Sequence, residues 1–256
     1  MVDEIDPKRS FEIYRKRFSD LGGATFFFVG NVELPKLRTF VTQYLASLPG
    51  RPKHETWHDI GLTTPKGVIT KKVVRGTEPK SLVTLVYNGD ATYSREERFR
   101  LAAMAQAFEI KLREDIREDK SGVYSIGVRP TIEQYPHPRY RLSIQFGCDP
   151  KRVEELVTEV MKQIDTLRST PIAQTYVDRV KKILLNENET NLKRNTFWLA
   201  KLQDAYWNGL PPATIPQSPA LINTFTSKDA QEMAKRYFDP SNVVEVYMTP
   251  EPKTTK

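Results

Sequence analysis

Arg117 and Tyr124 stand seven positions apart in the string LREDIREDKSGVYS, residues 112–125. An arginine guanidinium is a planar fork of N–H donors and a phenol adds one O–H. Held at one edge, the two can donate to a peptide carbonyl or to the oxyanion formed from it. The pair also suits a structural task, the arginine bonding the last carbonyls of a helix and the tyrosine half-burying its ring. A second string, His54-Glu55-Thr56-Trp57-His58, fits H-E-x-x-H, in which two histidines on one helical face hold zinc and the glutamate activates water.

The surroundings of the two strings differ. Upstream of Arg117, SREERFRLAAMAQAFEIKLRED places Leu101, Ala105, Phe108, Leu112 and Ile116 at steps of three or four, one face of a long helix. Ser94 predicts its N-cap, with Glu97 completing a capping box. Lys120, Ser121 and Gly122 predict its stop. The alternation Val123 to Val128 then predicts a strand. Arg117 falls in the last helical turn and Tyr124 at the strand's opening, so one sheet edge can carry both. HETWH, by contrast, lies between Pro52 and Gly61 to Pro65, where at most two helical turns fit. The remaining histidine, His137, is flanked by prolines. HETWH is therefore expected to be a linker accident without metal.

The rest of the chain predicts a helix over 10–20, a strand over 24–30 that is apolar on both faces, and a helix over 33–47. Residues 50–65 read as a linker. Strands follow over 68–74 and 82–87, then the long helix, then strands over 123–128 and 140–146. Between the last two, RPTIEQYPHP brings Tyr135 and His137 close to the Arg117–Tyr124 corner, where they can line a peptide groove or belong to an ordinary hairpin loop. Asp149 and Pro150 open another helix. A helical stretch over 171–207, a helix over 227–237 and a strand over 243–248 complete the chain. The order β-β-α-β-β-α predicts an α+β fold in two layers, a mainly antiparallel sheet with helices packed on one face. The aromatic cluster of Phe197, Trp198, Tyr206 and Trp207 is expected to be core or inter-domain packing. Asn188-Glu189-Thr190 is a glycosylation sequon read as an unmodified helix position.

Glu12 to Phe18, followed by a turn and an apolar run, echoes Glu232 to Phe238, again followed by a turn and a strand. If that unit closes a domain, residues 1–49 are the tail of a preceding similar domain and residues 66–256 a second, complete one.

Composition excludes several classes. With 39 basic against 32 acidic residues the net charge is +7, but the basic residues are interspersed with acidic ones and form no stripe, so nucleic acid is not an expected partner. No apolar run reaches the length of a membrane span. Cys148 is the single cysteine, so no internal disulfide or thiolate zinc cluster can form. A lone cysteine suits a reducing compartment and does not exclude a periplasmic one; the compartment stays open, with periplasm or cell envelope favoured over the cytoplasm.

IREDKSGVYS resembles the arginine–tyrosine segment of the insulinase/pitrilysin family of zinc peptidases, which includes mitochondrial processing peptidase. In that family a helix-borne arginine is followed by a tyrosine at the same separation, and Ile116 stands where leucine is usual. FFFVGNVELPKLRTFVTQYLASLP (residues 26–49) resembles the family's strand–Gly–helix–Leu-Pro segment, and NVVEVYMTPE its final strand. The family's inverted zinc string, His-x-x-Glu-His, does not occur in this sequence.

The resemblance implies the metallohydrolase fold of the processing-peptidase type. It implies a C-terminal, non-zinc half of a metalloendopeptidase, closing over peptide or unfolded polypeptide held at a zinc site in an N-terminal domain or partner subunit. Arg117 and Tyr124 would be the catalytic pair and would bind substrate together with Tyr135. This portion alone would hold no metal and be inactive. The alternative is a non-catalytic scaffold or assembly subunit of the same fold; an autonomous HETWH zincin is a third reading, separable by metal analysis.

Overall fold

The structure is a computed structural model. It describes residues 4–51, 56–119 and 123–252, and the side chains among them except at 117–119 and 123–124. The described helices are α1 (Pro7–Phe18), α2 (Leu34–Phe40), α3 (Arg95–Asp119), α4 (Val153–Ser169), α5 (Gln174–Leu192), α6 (Asn195–Trp207), α7 (Ser218–Thr224) and α8 (Ser227–Tyr237). The strands are β1 (Val68–Val74), β2 (Ser81–Asp90), β3 (Val123–Glu133), β4 (Arg139–Cys148) and β5 (Val243–Thr249). The chain divides into two compact units, Met1–Asp59 with Asn191–Ile215, and Ile60–Thr190 with Pro216–Lys256.

The second unit carries one five-stranded sheet in the order β1-β5-β2-β4-β3. Every neighbouring pair is antiparallel except β1 with β5. This is the mainly antiparallel α+β fold that the element order predicts. Period-two burial in β2 and β4 turns Val83, Leu85, Leu142, Ile144 and Phe146 into the core. The predicted face of α3 is what covers them: Leu101, Ala105, Phe108, Leu112 and Ile116 are all buried. Their four large side chains are worth about 6–12 kcal/mol at about 1.5–3 kcal/mol each. At 25 residues, α3 is about 37 Å long and spans the sheet.

Local chemistry sets the ends. The main-chain N–H of Glu97 donates to Ser94 Oγ at 3.0 Å, the predicted N-cap. Glu97 itself turns elsewhere, accepting from the Tyr237 hydroxyl at 2.5 Å and from Arg236, which ties α3 to α8. Asp149 caps as expected, but through a single 3-10 turn ahead of α4. Thr226 and Asp229 form a reciprocal capping box on α8.

Three expectations are corrected here. The stretch 171–207 is two helices, α5 and α6, broken where the backbone of Arg194 is extended and so leaves the helical ladder. β3 and β4 run on past 128 and 146, because Pro130 lies in β3, the outermost strand, where a missing N–H disrupts no ladder. Residues 24–30 form no strand: among the described residues they meet no partner strand, and apolar sequence alone does not make a ladder.

The first unit contains α1, α2, a π-helical turn at Val41–Leu45 and α6. Neither α1 nor α2 buries a residue. Among the described residues Tyr206 and Trp207 are largely exposed, so these two are not the core expected of the aromatic cluster, while Phe197 and Trp198 are half-buried. Phe197 and Trp198 meet edge to face, and the Trp198 indole N–H donates to the Leu192 carbonyl at 2.9 Å.

Candidate functional site

Arg117 sits in the last turn of α3 and Tyr124 is the second residue of β3, so helix end and strand start are joined by three residues, 120–122. Those three, and the side chains of Arg117 and Tyr124, lie outside the described residues. What the backbone fixes is the frame around them. Ile116 is buried, which anchors the helical turn that carries Arg117. Neighbouring charges on that part of α3 are paired: Lys111 with Asp115 and Gln163, Arg113 with Glu109, and Glu114 with Arg179. The hydrogen bond from Arg179 holds the Glu114 carboxyl below the usual carboxylate range.

At the strand side the ladder is irregular. Val123 pairs with Cys148 and Ser125 with Gly147, so Tyr124 is one residue too many for its partner. An extra residue of this kind is a β-bulge, which bends the strand and re-aims a side chain. Further along β3 the outer edge is closed. Glu109 Oε2 accepts the N–H of Val128 at 2.9 Å, so that N–H turns away from β4. Alternate residues share that outward direction, and two positions on stands Pro130, which has no N–H to offer. The edge is thus blunted from Val128 onward, while Ile126, next to the bulge, lies ahead of both stops.

Tyr135 does not join this corner. It stands beyond the far end of β3, roughly 35 Å of extended strand from Tyr124. A hairpin loop lies at the end of its first strand opposite that strand's opening, and β3 runs five residues past Val128, which carries the loop further from Arg117. There, Arg139 Nε donates to His137 Nε2 at 2.5 Å and its Nη1 to the Leu62 carbonyl at 2.8 Å.

His54 and Glu55 lie outside the described residues. Thr56, Trp57 and His58 are exposed and not helical, so the frame that H-E-x-x-H needs is absent over its described part. Among the described residues no group of three or more histidine, cysteine, aspartate or glutamate side chains could hold a metal ion. The described residues do not fit zinc. No described helix is long and apolar enough to cross a membrane. Asn188 lies within α5, as read from the sequence.

In the first unit an open groove of about 530 Å³ is lined by Phe27, Gln203, Tyr206 and Trp207 among others. The Phe27 and Tyr206 rings meet edge to face at 5.6 Å. The sequence marks Tyr206 and Trp207 as part of an aromatic cluster, but nothing in it signals a groove.

The profile of the peptidase M16 inactive domain matches residues 5–184. The chain is 26% identical over 215 residues to the probable zinc protease PqqL of Haemophilus influenzae, covering 82% of this chain and 22% of that protein. It is 26% identical over 238 residues to probable zinc protease PqqL of Escherichia coli, covering 87% and 24%. Among solved structures, the periplasmic protease PqqL from Escherichia coli superposes with a TM-score of 0.72 at 21% identity, over 87% of this chain and 25% of that one. The ferredoxin protease FusC, crystallised with Arabidopsis ferredoxin, gives 0.77 at 19%, over 98% and 27%. The chain therefore spans about a quarter of the length of these relatives. The matches carry the family and the fold and do not extend to a processing-peptidase specificity. On the profile match across most of its length, the chain belongs to the peptidase M16 inactive-domain family.

Proposed function

We propose that this chain is the closing, non-zinc portion of a metalloendopeptidase, and that Arg117 and Tyr124 meet the substrate backbone. The observation that carries the reading is the α3–β3 junction: helix end and bulged strand start lie ahead of the points, Val128 and Pro130, where the outer edge of the sheet is blunted among the described residues. Extended polypeptide entering there can add main-chain hydrogen bonds beside Ile126. Arg117, at the helix end, donates to its carbonyls in ground and transition states alike. Tyr124 donates to the scissile carbonyl as negative charge develops on it. Zinc and the water-activating base belong in this reading to an N-terminal domain or partner subunit, since no group among the described residues fits the metal. Tyr135, at the far end of β3, can contact only a substrate long enough to follow the strand. The portion by itself is inactive. Kinetics of Arg117→Ala in the assembled protease test the reading: KM rises and kcat falls, since a grip on backbone carbonyls acts in both states. Unchanged KM and kcat contradict it.

A further inference from the structure

The last turns of α3 crowd charges of both signs together, and each described carboxylate there has a definite partner. Asp115 takes Lys111, and Glu109 is shared by Arg113 and Arg129. Glu114 differs, because both of its partners come from α5. Arg179 donates to its Oε1, and the Tyr176 hydroxyl, one turn earlier on α5, bonds the same carboxyl. α5 is a firm base for the two. Val177 and Val180, their neighbours in sequence, are fully buried, and Tyr176 itself packs against the core.

The place of Glu114 on α3 gives this contact a consequence. Residues three or four apart on a helix are neighbours, and opposite charges at that spacing pair. Four positions stand at that spacing from 117, namely 113, 114, 120 and 121, and only 114 carries an acid. Glu114 with Arg117 is therefore the pair that the local geometry of α3 favours. The structure gives the carboxylate to α5.

We infer that Arg179, with the Tyr176 hydroxyl beside it, is a positioning group for Arg117. By taking the Glu114 carboxylate it withdraws the acid that would otherwise tie Arg117 along its own helix, and so leaves that guanidinium to the substrate carbonyls. This role rests on the reading of Arg117 as a substrate-binding group, and Arg179 acts without touching the peptide.

Competition of this kind has its own kinetic signature. A captured arginine lowers the fraction of enzyme ready to bind, which raises KM in proportion. At saturation the substrate has already won the arginine back, so kcat is unchanged. Loss of a mere strut acts differently, since misplacing a catalytic group lowers kcat itself.

Three variants of the assembled protease, assayed on one peptide substrate, test the inference. Arg179→Met, which keeps an apolar stem, should raise KM about twofold, the size of one exposed helical pair, with kcat unchanged. Adding Glu114→Gln to Arg179→Met should restore KM, because the competing acid is gone. Arg117→Ala should raise KM and lower kcat. If Arg117→Ala is silent, the role of Arg117 falls and this inference with it. If Arg117→Ala is impaired while Arg179→Met matches the wild type, the inference alone falls. A defect of Arg179→Met in KM or kcat that Glu114→Gln does not repair also overturns it, and makes the contact a strut.

Discussion

Glu109, midway along α3, accepts the main-chain N–H of Val128 in the outermost strand at 2.9 Å. The same carboxylate takes the Arg129 guanidinium at 2.7 Å and Arg113 at 2.6 Å. A helix side chain thus stands where the next strand of the sheet would otherwise bond. The outer edge is closed at that point, with Ile126 and Tyr124 lying ahead of it along β3.

Glu109→Ala is expected to destabilise the chain by about 1–2 kcal/mol, because it removes the acceptor of an edge N–H and leaves two guanidinium groups without their carboxylate. Glu109→Gln, which keeps an acceptor, should lose less. Thermal melting of the two variants checks this, and an unchanged Tm in Glu109→Ala would contradict it.

The core tyrosines make the fold sensitive to alkali. Burial, with Asp239 nearby, pushes the Tyr140 phenol up to about 12 from the usual 10.0. Burial and then the hydrogen bond to Glu97 raise Tyr237, and burial with Glu245 nearby raises Tyr87. A group whose folded pKa is raised contributes stability in full below its unfolded value, and that stability is lost as pH climbs through the folded one. Unfolding free energy should therefore hold up to about pH 10 and fall between 10 and 12. Denaturant melts followed alongside tyrosinate absorbance test it; ionisation of these phenols with no loss of stability would count against it.

Phe238→Ala should cost about 3–5 kcal/mol, since the ring is fully buried between Tyr87 and Phe108. Phe18→Ala in the 256-residue chain should change stability by no more than about 0.5 kcal/mol, as expected of an exposed position. Equal losses at the two positions, measured by denaturant unfolding, would show that the first unit has a cover not seen here.

The isolated chain should carry no stoichiometric zinc and cleave no peptide. Elemental analysis finding one tightly held zinc per chain, lost on His58→Ala, would restore HETWH as a site.

Much of this was legible from local pattern. The face of α3 shows in the sequence because burial follows the helical repeat, and Ser94 and Asp149 cap where their side chains reach their own backbone. What stayed hidden depends on contacts distant in sequence. Glu97 fits a capping box, yet Tyr237 and Arg236, some 140 residues away, claim its carboxylate. Pro130 reads as a loop residue until β3 is known to be the outer strand. The apolar run at 24–30 reads as a strand, but a strand exists only where another backbone meets it. The separation of Arg117 and Tyr124 was visible, whereas the bulge at Tyr124 is a matter of register with β4.

The central claim is that Tyr124 acts on the substrate. Tyr124→Phe keeps the ring and removes one donor, and loss of one donor to a developing oxyanion costs about 10²–10³ in turnover. Turnover and melting temperature of Tyr124→Phe should be measured together in the assembled protease. The account predicts a fall of that size in kcat with the Tm unchanged. Unaltered turnover per folded molecule, with or without a lowered Tm, would contradict it.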